Sequence, residues 1–250
     1  MRAAPGFLTE REGRFLALLA AAAPARGDVL EIGTFKGKSI VGLAAVARRQ
    51  GLPPIVTVDP HTAPSQTDPD LEGQASSWDA FQATLAGAAL STFVEAHRGY
   101  SRDLARDWRR PIRLLWIDGD HTYAGTSEDF TLFGPHLAPG GIVAMHDVLH
   151  GYDGPVRVFV ENVLASDDFG PAGVCGSIGW AQYRPGDGAS HRRERADLAR
   201  RASRLVPLVR KGRPPTGLKR LLYQLLRATV PHAAPDPAEW AARVVYLDHA

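Results

Sequence analysis

Val29-Leu-Glu-Ile-Gly-Thr-Phe-Lys-Gly-Lys-Ser39 holds the change of pattern on which the fold turns. A short strand, Val29 to Ile32, carries the acid Glu31 near its end; Gly33 and Gly37 shape a turn; and Ser39 begins a helical pattern. Glycines there let the backbone approach a ligand closely, and open α/β sheets bind ligands at the carboxyl ends of their strands. The spacing is E-x-G-x-x-x-G. It is neither the G-x-G-x-x-G of a dinucleotide site nor the G-x-x-x-x-G-K-[ST] of a P-loop. An ordinary tight βα turn accounts for the same glycines, so the neighbouring sequence must decide.

Outward from this turn, β-branched runs alternate with helical patterns from Asp28 to about Val148. The strand candidates are Val29 to Ile32, Ile55 to Val58, Thr92 to Val94, Ile112 to Ile117 and Gly141 to Met145. Ser39 to Arg49, Ser77 to Ala88, Arg102 to Trp108 and Thr126 to Leu137 read as helices between them. This alternation predicts βαβ units around a parallel sheet covered on both faces. A helix over Val156 to Leu164 and β-like pieces at Val174 to Ile178 and Trp180 to Tyr183 follow, the last two as an antiparallel hairpin at the sheet edge. Tyr183-Arg-Pro-Gly-Asp-Gly188 closes the core. The chain divides into an N-terminal helix packing on the core (1–26), the α/β domain (27–184) and a helical extension (185–250).

Two further strand ends carry acids. Asp59 follows Val56-Thr-Val, where a carboxylate can accept hydrogen bonds from both hydroxyls of a ribose; a turn or helix-cap role is the alternative. Leu114-Leu-Trp-Ile-Asp-Gly-Asp-His-Thr-Tyr123 ends a strongly apolar strand in Asp118, Asp120 and His121, and Gly140-Gly-Ile-Val-Ala-Met-His-Asp-Val148 ends the next in His146 and Asp147. Neighbouring parallel strands bring these ends together, so carboxylates and imidazoles converge above the sheet. Such a set suits Mg²⁺, or Mn²⁺ if an imidazole joins. Capping a helix or a loop amide is the competing role, above all for Asp120.

Composition narrows the class. The 250 residues are 44% hydrophobic and 22% charged, which excludes a disordered chain, and the lone Cys175 excludes an internal disulfide or a Cys-based zinc site. No apolar run approaches the roughly 20 residues that span a bilayer. Phe15-Leu-Ala-Leu-Leu-Ala-Ala-Ala-Ala-Pro-Ala25 imitates a secretory signal, but acids precede it, and Thr9 with Glu12 has capping-box spacing. We therefore expect an amphipathic first helix with Phe15, Leu18, Leu19 and Ala22 inward, and a cytoplasmic protein. The net charge of +2 hides an asymmetry: residues 184–227 hold 13 Lys/Arg against 3 Asp/Glu. Leucines at 198, 205 and 208 and at 218, 221, 222 and 225 predict two basic amphipathic helices separated by Gly212-Arg-Pro-Pro215. A solvated appendage or dimer element, an anionic-surface contact and a nucleic-acid patch all suit this tail; the scarcity of aromatics argues against nucleic acid.

Between Gly27 and Tyr183 the chain resembles the class I S-adenosylmethionine-dependent methyltransferases of the metal-dependent O-methyltransferase type, in particular the macrolide-sugar and cephalosporin-biosynthesis groups. The resemblance implies a Rossmann-like, doubly wound, seven-stranded, mostly parallel sheet with an antiparallel last strand. It implies that Glu31, Gly33, Phe35, Gly37 and Ser39 wrap the methionine part of the cofactor, that Asp59 binds ribose, and that Ser101 borders adenine. Asp118 then borders the cofactor and binds the metal with Asp147, and His121 is the base. Where catechol-type relatives carry Asp-Asn, this chain has His146-Asp147, which leaves His146 three roles: metal ligand, substrate orienter, or partner of a carboxylate. The implied reaction methylates a hydroxyl of a small polar substrate, a sugar or glycoside, with Mg²⁺ or Mn²⁺. His61-Thr-Ala-Pro-Ser-Gln-Thr-Asp-Pro-Asp70 and the stretch with His150, Tyr152 and Asp153 form its walls. A nicotinamide-dependent oxidoreductase and a non-catalytic cofactor-binding partner are the rival readings.

Overall fold

The turn after Val29 to Ile32 sits where the order of the sheet reverses. The computed structural model describes residues 4–209 and 214–246. Its strands are Asp28–Ile32 (β1), Ile55–Asp59 (β2), Val94–Arg98 (β3), Ile112–Ile117 (β4), Leu137–Met145 (β5), Phe169–Cys175 (β6) and Ile178–Tyr183 (β7). They form one sheet in the order β3-β2-β1-β4-β5-β7-β6. β1 to β5 run parallel, whereas β7 is antiparallel to both β5 and β6. Between β1 and β4 the chain changes direction across the sheet, which opens a crevice at their carboxyl ends.

Four strands, β3, β5, β6 and β7, begin two or more residues from where the sequence pattern predicts, and β7 takes in Ile178 from the end of the expected piece before it. Thr92 and Phe93 lie in a 3₁₀ turn, and β3 runs on through Glu95, His97 and Arg98, pairing Val94 with Ile55 and Arg98 with Asp59. An edge strand needs no apolar run, since one margin of it faces water. β5 starts at Leu137, ahead of the Pro139-Gly140-Gly141 irregularity. β6 starts at Phe169: Ala172 and Gly173 pair with β7 although they carry almost no β-propensity, and Gly170 and Pro171 fall in an irregularity between Phe169 and Ala172.

Helices Glu10–Ala22 (α1), Lys38–Gln50 (α2), Trp78–Gly87 (α3), Ser101–Ala105 (α4), Tyr123–Phe133 (α5) and Asp153–Val158 (α6) cover the sheet, and α6 continues as a π turn through Phe159–Leu164. Side chains alternate between two cores. Leu30, Ile32, Leu115, Ile117, Val143 and Met145 face one, with Val156 and Phe159; Val29, Leu114, Trp116, Ile142 and Ala144 face the other, with Phe15, Leu19 and Ile40. Thr9 and Glu12 do close a capping box on α1. Its buried face is Phe15, Leu16, Leu19 and Ala20; Leu18 and Ala22 stay only half-buried, because the helix is rolled toward α2.

The C-terminal helices are Arg192–Ser203 (α7), Gly217–Ala228 (α8) and Pro237–Arg243 (α9). Leu198, Ala202, Leu205 and Tyr223 enter the first core, and Trp240 enters the second, 6.1 Å from the Phe15 ring and 5.2 Å from that of Trp180. The extension thus reaches both faces of the sheet. Of the expected separator Gly212-Arg-Pro-Pro215, positions 212 and 213 lie outside the described residues.

Candidate active site

The turn after β1 is fastened from below and from the side. Thr34 N and Phe35 N donate to Asp59 Oδ2 at 2.7 and 2.8 Å, and His61 N donates to Oδ1 at 2.5 Å. Three of roughly four acceptor positions on this carboxylate are therefore spent on backbone. One position is left toward the cavity, so Asp59 has room for one ribose hydroxyl rather than two. Glu31 is fully buried, accepting from Thr34 Oγ1 and Thr57 Oγ1 at 2.9 Å each. Burial pushes its carboxyl up to about 7, against the hydrogen bonds from Ser39, Thr34 and Thr57. Glu31 lies beneath the turn, outside the cavity wall, and so does Gly37, whose φ of 93° starts α2. Gly33 has φ 85°, and a Cβ there would run into the backbone of Asp118 and Gly119. A larger residue would push apart the two turns that bound the crevice.

Above these turns lies a cavity of about 820 Å³. Gly33, Phe35, Ser39, Asp59, Ser101 and Asp118 line it, as do His121, His146 and Asp147. Ser101 opens α4 beside Asp129, a carboxyl that burial pushes up to about 7 although Ser101 hydrogen-bonds to it.

Ile117 pairs with Met145 in the β4–β5 register, which sets Asp118 beside His146 and Asp147. His146 Nδ1 lies 3.0 Å from Asp118 Oδ1 and 3.3 Å from Asp147 Oδ1. His121 Nε2 lies 3.2 Å from Asp147 Oδ2 and 3.7 Å from Asp118 Oδ1. Asp147 has φ 56°, a left-handed conformation that Asp tolerates and that is over-represented at functional sites. The Tyr152 ring flanks His121 at 4.9 Å.

Electrostatics follow from this packing. Burial opposes charge on every member, yet the mutual attraction prevails. Asp118 and Asp147 hold His121 up at about 9 and His146 well above its ordinary value, while the imidazoles hold Asp147 far down and Asp118 down. With no cation bound, this packing favours protonated imidazoles beside ionised carboxylates.

A divalent cation fits the same nest. Among the described residues, Asp118, His121 and His146 offer donor atoms that lie within 4.8 Å of one another. His121 Nδ1, His121 Nε2 and His146 Nε2 are buried with no well-formed hydrogen bond. Imidazole nitrogens with carboxylate oxygens suit Mn²⁺ and, with water completing the shell, Mg²⁺. The converging trio includes His121 in place of Asp147, which is engaged by His121 and by His150 Nδ1 at 2.6 Å. Asp120 takes the competing role foreseen for it. Its carboxylate accepts from Ser65 Oγ at 2.8 Å, Thr67 Oγ1 at 2.9 Å and Thr122 N at 2.8 Å, tethering the 61–70 loop over the site.

Glu12 completes the cluster from an unexpected element. Its Oε1 accepts from Ser177 N and Oγ at 2.7 Å each, and its Oε2 accepts from Thr9 N at 3.0 Å and lies 3.9 Å from His146 Nε2. Burial works against the charge, but the His146, Thr9 and Ser177 contacts outweigh it and keep this carboxyl well below its usual range. The sequence offered only the Thr9-x-x-Glu12 cap as a signal. Nothing in it tied Glu12 to Ser177.

Residues 30–148 match a family model described as a methyltransferase domain. Solved structures share the fold. The cofactor-bound protein Rv0187 from MTB is 23% identical at a TM-score of 0.56, covering 73% of this chain and 84% of its own. The O-methyltransferase TomG from Streptomyces achromogenes, in complex with SAM, is 24% identical at a TM-score of 0.53, covering 72% and 82%. An O-methyltransferase from Bacillus cereus in complex with SAH is 22% identical at a TM-score of 0.52, covering 72% and 85%.

Proposed function

We propose that this chain, whose residues 30–148 form a methyltransferase domain on the class I S-adenosylmethionine-dependent fold, methylates a hydroxyl of a small, saccharide-containing substrate in the cytoplasm with a divalent metal in the Asp118 cluster. The observation that carries this reading is the shared cavity: the glycine turn after β1 and the Asp118, His121, His146 and Asp147 cluster face the same 820 Å³ space. Sulfonium and hydroxyl binding sites side by side are what methyl transfer to oxygen requires.

In that reaction the substrate O–H bond breaks, a C–O bond forms to the methyl carbon, and the S–CH₃ bond breaks to leave S-adenosylhomocysteine. An aliphatic alcohol is a poor nucleophile at neutral pH, so it needs help losing its proton. A divalent cation held by Asp118 and His146, which leaves His121 free, would make the hydroxyl more acidic and would oppose the proton that the two carboxylates otherwise hold on His121. His121 then takes the hydroxyl proton, with Asp147 3.2 Å away steadying the imidazolium that results. Asp59 and Glu31 keep the turn in place through Thr34 and Phe35, which fixes the approach line. Tyr152 and the loop held by Asp120 exclude water. The polar wall of His61, Ser65, Thr67, Asp68, His150 and Tyr152 supports a hydroxylated substrate over a flat apolar one.

Thermal unfolding with added nucleosides tests the cofactor assignment. S-adenosylhomocysteine should raise the unfolding midpoint, and NAD should leave it unchanged. Stabilisation by NAD alone would overturn the reading.

A further inference from the structure

The apolar residues of α8 divide by face. Tyr223, only 5% exposed, packs into the core that holds Val148 and Leu149, and Arg227 Nε donates to the Leu149 carbonyl at 3.0 Å. On the other side Leu218, Leu221, Leu222 and Leu225 are 86%, 56%, 45% and 61% exposed. Their i, i+3, i+4, i+7 spacing makes one continuous stripe. Phe7, Tyr100 and Val245, the remaining large exposed hydrophobics among the described residues, are scattered in sequence. Single exposed leucines are normal on a surface, whereas a contiguous apolar stripe marks an interaction site.

Charge identifies the occupant. α8 carries Lys219, Arg220 and Arg227 and no acid, within a segment of 13 Lys/Arg and 3 Asp/Glu. Two copies pairing stripe to stripe about a two-fold axis would bring together two segments that each carry 13 Lys/Arg against 3 Asp/Glu. An anionic lipid surface answers both features at once, apolar acyl chains for the stripe and phosphate headgroups for the cations. No described helix is long and apolar enough to cross a membrane, so such contact is peripheral.

We propose that α8 docks the protein on an anionic lipid surface through the Leu218, Leu221, Leu222 and Leu225 stripe, with Lys219 on its flank and the basic segment around it. The Arg227–Leu149 bond fastens this helix to the segment that carries Asp147, His150 and Tyr152.

Cosedimentation of the full chain with vesicles tests this. Vesicles of phosphatidylcholine with phosphatidylglycerol should carry the protein down at low salt, and vesicles of phosphatidylcholine alone should not. Lys219→Glu with Arg220→Glu should weaken binding at least about thirty-fold. Leu221→Ser with Leu225→Ser should also abolish it, with an unchanged thermal midpoint because both side chains face water. Absence of binding at low salt, or equal binding to neutral vesicles, would overturn the proposal. So would a concentration-dependent dimer that ignores vesicles and dissociates in the leucine variant, which would make a second copy the occupant.

Discussion

His146 sits between three carboxylates, with Asp118 and Asp147 at Nδ1 and Glu12 beyond Nε2. The arrangement makes the cation-free cluster sensitive to pH in a definite direction. His121 titrates near 9 when folded and near 6.5 when unfolded, and His146 is raised as well. Their stabilising contribution is full below about 6.5 and is lost as pH rises through about 9. With chelator present, the urea midpoint should fall between pH 6.5 and 9.5, and substitution of His121 by Ala should flatten that slope. A midpoint that is level or rises over this range would contradict the ion-paired cluster. Glu12 makes a second prediction, because it is both a helix cap and a buried anion. Thr9→Ala, which removes the cap and the hydroxyl's bond to Glu12 but leaves the buried charge, should cost about 1 kcal/mol in urea denaturation. Glu12→Gln keeps an acceptor for Ser177 but removes the buried negative charge 3.9 Å from His146 Nε2, and should cost about 3 kcal/mol. Equal costs would reduce Glu12 to a capping residue. Asp118, His121 and Asp147 were legible in the sequence because each follows a strongly apolar strand. Glu12 was not, since a capping box hides any other use of its acid.

Among the elements, the β1 turn couples sequence to site most tightly. Its glycine at 33 passes against the backbone of Asp118 and Gly119 with no space for a Cβ. Gly33→Ala should therefore weaken S-adenosylhomocysteine binding by more than tenfold in calorimetry, as the overpacked turn gives way. Wild-type affinity in that variant would show that the turn does not approach the ligand. β1, β2 and β4 were read almost to the residue, because buried parallel strands are continuous apolar runs. β3 and β6 were displaced or truncated in the reading. One is an edge strand with polar residues, and the other is interrupted at Gly170 and Pro171 and pairs through Ala172 and Gly173, so neither carries the pattern that marks a buried strand.

At the scale of the molecule, an acidic α/β domain and a basic helical extension share both cores. The charge asymmetry was visible in composition, whereas the packing of Trp240 against Phe15 and Trp180 was not, because contacts over such sequence distances leave no local signal. The crevice between β1 and β4 follows from strand order alone. On the proposed function, what would make it a reaction site is that the glycine turn after β1 and the Asp118 cluster share it. The direct test of that convergence is transfer of labelled methyl from S-adenosylmethionine to a panel of sugars, glycosides and catechols, with and without EDTA. The account predicts labelling of a saccharide hydroxyl that EDTA abolishes and Mg²⁺ or Mn²⁺ restores; transfer that persists in EDTA would contradict it.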